Sequence, residues 1–184
     1  VKYDPPVPAH MGGEVANFSI GQGEMSATPL QMAQVAAFVA NRGKSYAPHL
    51  VRRIIDPAPG KVPTQIQPEL LHQMEAPASF WDALQRAMVG VVDYGTARAS
   101  RIPGVQFGGK TGSAEVRGQR VTNSWFVGVA PMDHPQIAIA VLAENAGHGS
   151  DAAAPIASDI VKKYIEILAR RKAGASVQGS PQPR

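Results

Sequence analysis

The spacing of apolar residues predicts three helices, and the first of them has the clearest start signal. Thr28 suits the N-cap, Pro29 the first helical position, and Gln31 completes a capping box. The pattern predicts that this helix ends at about Asn41 and that Gly43 stops it. Because its side chains are apolar on almost every face, we expect the helix to be largely buried.

The other two predicted helices each have one apolar stripe. The second helix begins at Ser79 with Asp82 and ends at Gly95, and its apolar residues recur at spacings of three and four: Trp81, Leu84, Met88 and Val91 or Val92. The last begins at Asp151, with Pro155 in its first turn, and its stripe has spacings of four: Ile156, Ile160, Tyr164 and Leu168. We expect this last stripe to lie on a sheet.

Three extended segments lie between the second and the last helix. They cover residues 105–116, 121–130 and 136–143, and polar turns separate them. Such short connections predict an antiparallel meander. Apolar residues on both faces indicate that helices cover the sheet. The predicted fold is therefore α/β of the α+β type, an antiparallel sheet covered by helices.

The remaining segments are less regular. Residues 1–19 are predicted to be an irregular lead-in without a helix or strand, because prolines and glycines interrupt them. Residues 46–55 are predicted to form a short strand, and the proline-rich segment 56–77 a surface connection. The main domain then spans residues 20–170, and residues 171–184 form a basic, disordered tail rich in Pro, Gly and Ser.

Composition is that of a globular protein, with 44% hydrophobic and 17% charged residues. No apolar run approaches the length needed to cross a membrane, and no signal peptide is visible. The absence of cysteine excludes disulfides and thiol catalysis. The net charge of +4 arises in residues 162–184, which alone contribute +5. The charge therefore does not predict a nucleic-acid-binding groove.

The histidines do not predict a metal site. His10, His49, His72, His134 and His148 include no pair at a spacing of four. His148 lies in a glycine-rich loop before the last helix, and we interpret it as a solvated loop residue rather than part of a cleft. We expect neither a metal nor another cofactor.

The candidate chemistry is concentrated in the segment 108–115. On a strand, Lys110 and Gly112 share one face, whereas Thr111 and Ser113 share the other. If the strand borders a cleft, one ligand can still contact the lysine and both hydroxyls. The lysine side chain is long and flexible, and a glycine has no side chain to keep the ligand away from the backbone. A Lys-Thr-Gly triplet occurs in penicillin-recognising serine enzymes. By itself so short a match is more typical of an ordinary hairpin strand with a solvated lysine.

Further motifs favour the first interpretation. They occur in this order: Ile20-Gly21-Gln22-Gly23, Thr28-Pro29-Leu30-Gln31-Met32-Ala33, Met88-Val89-Gly90-Val91-Val92, Gly95-Thr96-Ala97, Pro103-Gly104-Val105, Gly108-Gly109-Lys110-Thr111-Gly112-Ser113-Ala114, Trp125-Phe126-Val127-Gly128, Ala130-Pro131 and the small-residue stretch 147–157. Over residues 12–170 the chain resembles the C-terminal part of the transpeptidase domain of class B penicillin-binding proteins. The resemblance implies the fold shared by these proteins and the serine β-lactamases.

The chain departs from that family in one respect. None of its eleven serines is followed by Lys at the third position or by Asn at the second, so Ser-x-x-Lys and Ser-x-Asn are both absent. In the family both motifs lie upstream of this region. We therefore expect a C-terminal fragment of a longer enzyme that is inactive by itself. A degenerate or regulatory relative is the alternative.

The resemblance also implies roles for four residues. Lys110 supplies positive charge for the C-terminal carboxylate of the donor peptide and for proton transfer at the serine. Thr111 donates its hydroxyl to the same carboxylate. Ser113 contributes its backbone N–H to the oxyanion hole, and Gly112 leaves space for the substrate alongside the strand.

The implied function is cross-linking of peptidoglycan stem peptides by serine acylation. The implied partners are the D-alanyl-D-alanine stem peptide, β-lactams, the upstream remainder of the same protein and cell-wall synthesis machinery, but no nucleic acid. The implied location is outside the cytoplasmic membrane, on an N-terminal anchor that this chain does not include. A D,D-carboxypeptidase or β-lactamase relative and a non-catalytic binding or scaffolding module remain alternatives.

Overall fold

The computed structural model describes residues 12–23, 26–58, 60–116, 118 and 120–178. Its helices are α1 (Gly12–Ser19), α2 (Pro29–Ala40), α3 (Ala78–Asp93) and α4 (Ala153–Gln178), with a 3-10 helix at Arg98–Ser100. Its strands are β1 (Lys44–Tyr46), β2 (Arg53–Ile54), β3 (Thr64–Gln65), β4 (Leu70–Gln73), β5 (Gly108–Ala114), β6 (Asn123–Ala130) and β7 (Ile137–Ala143).

Helix α2 begins as predicted. The Thr28 side chain accepts a hydrogen bond from the Gln31 backbone N–H at 3.2 Å, and the Gln31 side chain accepts one from the Thr28 N–H at 2.8 Å. Both halves of the capping box are therefore present. The helix ends at Ala40, and Gly43 follows it with a φ of +93°. A residue with a side chain would be strained in that conformation.

Loss of the cap should be measurable. We expect Thr28→Ala to lower the free energy of unfolding by about 1 kcal/mol, because it leaves the Gln31 N–H without its side-chain acceptor. Thr28→Ser keeps the hydroxyl and should retain most of the stability. Urea unfolding of the two variants measures the difference. Equal losses in both would show that the hydroxyl is not the stabilising group.

The prediction that α2 is largely buried is wrong. Ala36 and Val39 are buried, but Leu30 and Val35 are more than half exposed. The helix contacts β6 and β7 on one side. Its other apolar side therefore faces outward in the described structure.

Strands β5, β6 and β7 form the predicted antiparallel meander in the order β5-β6-β7. Lys110 lies opposite Val127, and Ser113 lies opposite Ser124. Val127 in turn lies opposite Ala140 of β7. Because directly opposed residues share a face, this register puts Lys110 on one side of the sheet and Ser113 on the other.

Helices cover both faces of the sheet. On one face Phe126, which is fully buried, packs in a cluster with three residues of α4: Ala154, Ala157 and Val161. On the other face Ala36 of α2 packs with Val129 and Met132. The α+β architecture predicted from the sequence is therefore confirmed.

The predicted stripe of α4 is wrong by one residue in its first half, whereas Tyr164 and Leu168 are partly buried as expected. Ile156 and Ile160 are about half exposed, at 45% and 46%, whereas Ala157 and Val161 are fully buried. Small side chains on the sheet side allow the helix backbone to approach closely. The packing surface therefore favours alanine over isoleucine at these positions.

Four other local predictions need correction. Residues 12–19 are not irregular but form α1, and residues 171–178 of the predicted disordered tail continue α4. The predicted strand 46–55 is divided, because β1 pairs with β4 and β2 pairs with β3. Helix α3 begins at Ala78, after an N-cap residue, Pro77, that provides no side-chain hydrogen bond, so Ser79 does not start it. Residues 1–11 and 179–184 lie outside the described residues.

Candidate functional site

Strand β5 offers one backbone edge for further pairing. Within the described residues it pairs with β6 on one side and with no strand on the other. The Ser113 carbonyl accepts a hydrogen bond from the Gln22 side chain at 3.2 Å, so the backbone groups of Ser113 face away from β6. Since strand residues alternate, the N–H and C=O of Thr111 face the same way. Peptide donors and acceptors therefore project from this edge.

Lys110 lies at this edge. Its side chain is exposed and its ammonium group donates a hydrogen bond to the carbonyl oxygen of Thr111. The side chain therefore bends over the strand toward the outward-facing carbonyl, although its Cβ belongs to the opposite face from Thr111. This bending brings the cation to the backbone of Thr111, as the length of lysine allows.

The hydroxyl of Thr111 has a partner that sequence reasoning missed. Thr96, in the turn after α3, lies with its hydroxyl oxygen 2.8 Å from that of Thr111. The turn is held by a hydrogen bond from the Ala97 N–H to the Val91 carbonyl at 2.9 Å. The end of α3 therefore fixes the position of Thr96 beside Thr111.

The side chain of Ser113 also has an unexpected partner. Its hydroxyl oxygen lies 3.3 Å from Nδ1 of His148. The imidazole is exposed, as expected for a solvated loop residue, but its contact with Ser113 was not predicted from the sequence. The only sequence signal was its position in the glycine-rich loop before α4.

Gln22 provides a further contact at the same edge. Besides donating to the Ser113 carbonyl, its side chain accepts a hydrogen bond from the Glu115 N–H at 3.4 Å. One side-chain amide thus pairs with two backbone groups of the strand edge, as a neighbouring peptide would. The sequence pattern around Gln22 predicted only the approach to a helix.

Lys110 supplies the positive charge at this strand edge. Among the described residues there is no group of three His, Asp or Glu side chains that would hold a metal ion. A hydrogen bond from His134 lowers the pKa of Asp133, but both residues lie in the β6–β7 turn, at the other end of the sheet from Ser113. A cavity of about 420 Å³ is lined by α3 and that turn, and not by Lys110 or Ser113.

None of the described helices has a stretch long and apolar enough to traverse a lipid bilayer.

Comparison with known proteins identifies the family. The penicillin binding protein transpeptidase domain matches residues 5–162. The chain is 37% identical over 157 residues to the peptidoglycan D,D-transpeptidase MrdA of Acinetobacter baumannii, a match that covers 78% of this chain and 23% of that protein. It is 36% identical to the peptidoglycan D,D-transpeptidase PbpA of Mycolicibacterium smegmatis, with 75% and 29% covered.

The fold is shared with solved structures of the same family. The imipenem acyl-enzyme complex of penicillin-binding protein A from M. tuberculosis superposes with a TM-score of 0.73 at 30% identity, covering 88% of this chain and 35% of that one. The chain spans about a quarter of the length of the two curated relatives, 23% and 29%. The family model and these relatives together show that the chain belongs to the class B penicillin-binding protein transpeptidase domains.

Proposed function

We propose that this chain forms the Lys-Thr-Gly side of the active site of a peptidoglycan D,D-transpeptidase. The observation that supports this most directly is the β5 edge. Along this edge the Lys110 ammonium donates to the Thr111 carbonyl, the Thr111 hydroxyl contacts Thr96, and the backbone of Ser113 faces outward. This arrangement suits a ligand with both a carboxylate and a peptide backbone.

In the proposed reaction, a serine outside this sequence attacks the carbonyl carbon between the two D-alanines of a stem peptide. A C–O bond forms, the C–N bond breaks, and the terminal D-alanine leaves with a proton on its amine. An amine from a second stem peptide then attacks the acyl-enzyme and releases the serine. A β-lactam enters the same first step, and its ring opens on the serine.

Four residues of the segment have a proposed part in that step. Lys110 holds the terminal carboxylate and assists proton transfer at the serine, and Thr111 donates its hydroxyl to the same carboxylate. Ser113 donates its N–H to the oxyanion, an interaction whose loss typically costs about 10²–10³ in rate. Gly112 has no side chain, so the substrate peptide can lie against the backbone of the strand.

The partners and location follow from the same proposal. The substrate is the D-alanyl-D-alanine end of a stem peptide, and β-lactams compete for its site. One similar solved structure is a peptidoglycan synthase complex in which polymerization and crosslinking are coordinated, so a cell-wall synthase is the proposed macromolecular partner. The proposed location is the outer side of the cytoplasmic membrane, on an anchor outside this sequence.

Covalent labelling tests the proposal. We expect the intact protein to be acylated by a fluorescent penicillin, because the remainder of the protein supplies the serine. The polypeptide of residues 1–184 should stay unlabelled, since none of its serines has the required lysine. An intact protein that folds but takes up no label would contradict the proposal and favour a non-catalytic module.

A further inference from the structure

The loop that precedes α4 is tied to the sheet at both of its ends. At its start, the Gly147 N–H donates to the Thr122 carbonyl at 3.0 Å, and the Thr122 hydroxyl donates to the Gly147 carbonyl at 2.9 Å. Gly147 has a φ of +80°, which a residue with a side chain rarely adopts. The loop therefore leaves the sheet at a fixed position.

A buried serine holds the next residue. The Ser124 hydroxyl, fully buried on β6, donates to the His148 carbonyl at 2.9 Å and accepts from the Ala153 N–H at 3.0 Å. One side chain thus joins the loop, the strand and the first turn of α4. Because an unpaired buried hydroxyl is costly, both bonds should persist.

The following glycine lies directly on the sheet. A methyl group at Gly149 would overlap the Trp125 carbonyl oxygen and would lie 2.6 Å from the Gly112 carbonyl oxygen. The Gly149 carbonyl also accepts a hydrogen bond from the Ala154 N–H at 2.9 Å. The backbone on both sides of His148 is therefore held in place, and its ring is directed to Ser113.

From these contacts we infer that His148 is a positioning residue for the Ser113 hydroxyl, an inference that rests on the proposed function. Nδ1–H of the imidazole donates to the Ser113 oxygen. The hydroxyl hydrogen is then available to the terminal carboxylate of the ligand. In the opposite tautomer the serine would donate to the ring and be lost to the ligand. His148 thus selects for a carboxylate beside Lys110 and Thr111.

The test is a double-mutant cycle in the intact protein, with acylation by a fluorescent penicillin as the readout. We expect His148→Ala to lower the second-order acylation rate about three- to tenfold, as for the loss of one hydrogen bond. The loss should appear in the dissociation constant of the noncovalent complex. His148→Asn keeps a donor near the position of Nδ1 and should restore the rate to near that of the natural protein.

The cycle separates positioning from a merely structural role. In a Ser113→Ala background, His148→Ala should have no further effect, because the hydroxyl that it orients is absent. Additive losses would overturn the inference. If His148→Ala does not fold, His148→Phe keeps a ring without a donor and should show the same loss. His134→Ala, which removes an exposed histidine of the β6–β7 turn, is the control and should leave the rate unchanged.

Failure of this inference is distinguishable from failure of the proposed function. If Lys110→Ala lowers the acylation rate at least tenfold while His148→Ala leaves it unchanged, the proposed function stands and the role of His148 is refuted. If the natural protein takes up no label, the proposed function is refuted first, and the inference is refuted with it.

Discussion

Replacing Lys110 with alanine in the intact protein should lower the second-order rate of acylation by a labelled penicillin about ten- to a hundredfold. The ammonium group would form a charge-assisted hydrogen bond with the ligand carboxylate, which is worth about 1.5–3 kcal/mol. Each 1.36 kcal/mol corresponds to about a factor of ten in rate. Initial rates at several penicillin concentrations, below saturation, measure the change.

The Lys110 variant should remain folded, because the side chain is exposed and contributes no core contact. The matched control is Lys61→Ala, an exposed lysine between β2 and β3, which should be acylated at the natural rate. Equal unfolding midpoints for the two variants would confirm that stability is not the cause of the difference. An unchanged acylation rate in Lys110→Ala would refute the assignment of this residue.

Replacing Gly149 with alanine should destabilise the protein by about 1–3 kcal/mol, the usual cost of an overpacked position. The added methyl group would meet backbone atoms of two strands, including the Gly112 nitrogen at 2.8 Å. Backbone atoms in a paired sheet cannot rotate away as a side chain does. The loop must therefore lift from β5 and β6, and His148 must move away from Ser113. Urea unfolding of the intact protein measures the stability loss.

The same variant should be acylated more slowly, by at least the factor expected for His148→Ala. The matched control is Gly13→Ala, because an added methyl group there has no atom within 4 Å. Since Gly13 lies in α1, alanine should leave stability unchanged or raise it by about 0.5–1 kcal/mol. If Gly149→Ala were as stable as Gly13→Ala, the close contact between loop and sheet would be disproved.

Sequence reasoning succeeded where the governing interactions are local. The capping box of α2 involves residues three positions apart, so its residue types suffice to predict it. The β5-β6-β7 meander followed from short turns between apolar segments, which leave little choice of pairing partner. The alternation along β5 likewise assigned Lys110 and Ser113 to opposite faces.

Sequence reasoning failed where the surrounding tertiary structure decides which residues are buried and which strands pair. The stripe of α4 was predicted from the large apolar residues Ile156 and Ile160, yet the sheet accepts the smaller Ala157. The segment 46–55 has the composition of one strand, but two different partners divide it. Periodicity reports which residues are apolar, not how closely a neighbouring surface approaches them.

By itself the sequence determined the chemistry of one strand: a lysine, two hydroxyls and a bare backbone, together with the family that this pattern resembles. The tertiary structure alone brought Thr96 to Thr111, His148 to Ser113 and Gln22 to the strand edge, across 15, 35 and 91 residues of chain. Such contacts depend on how loops close and where glycines allow backbones to touch. No periodic pattern along the chain records either of these.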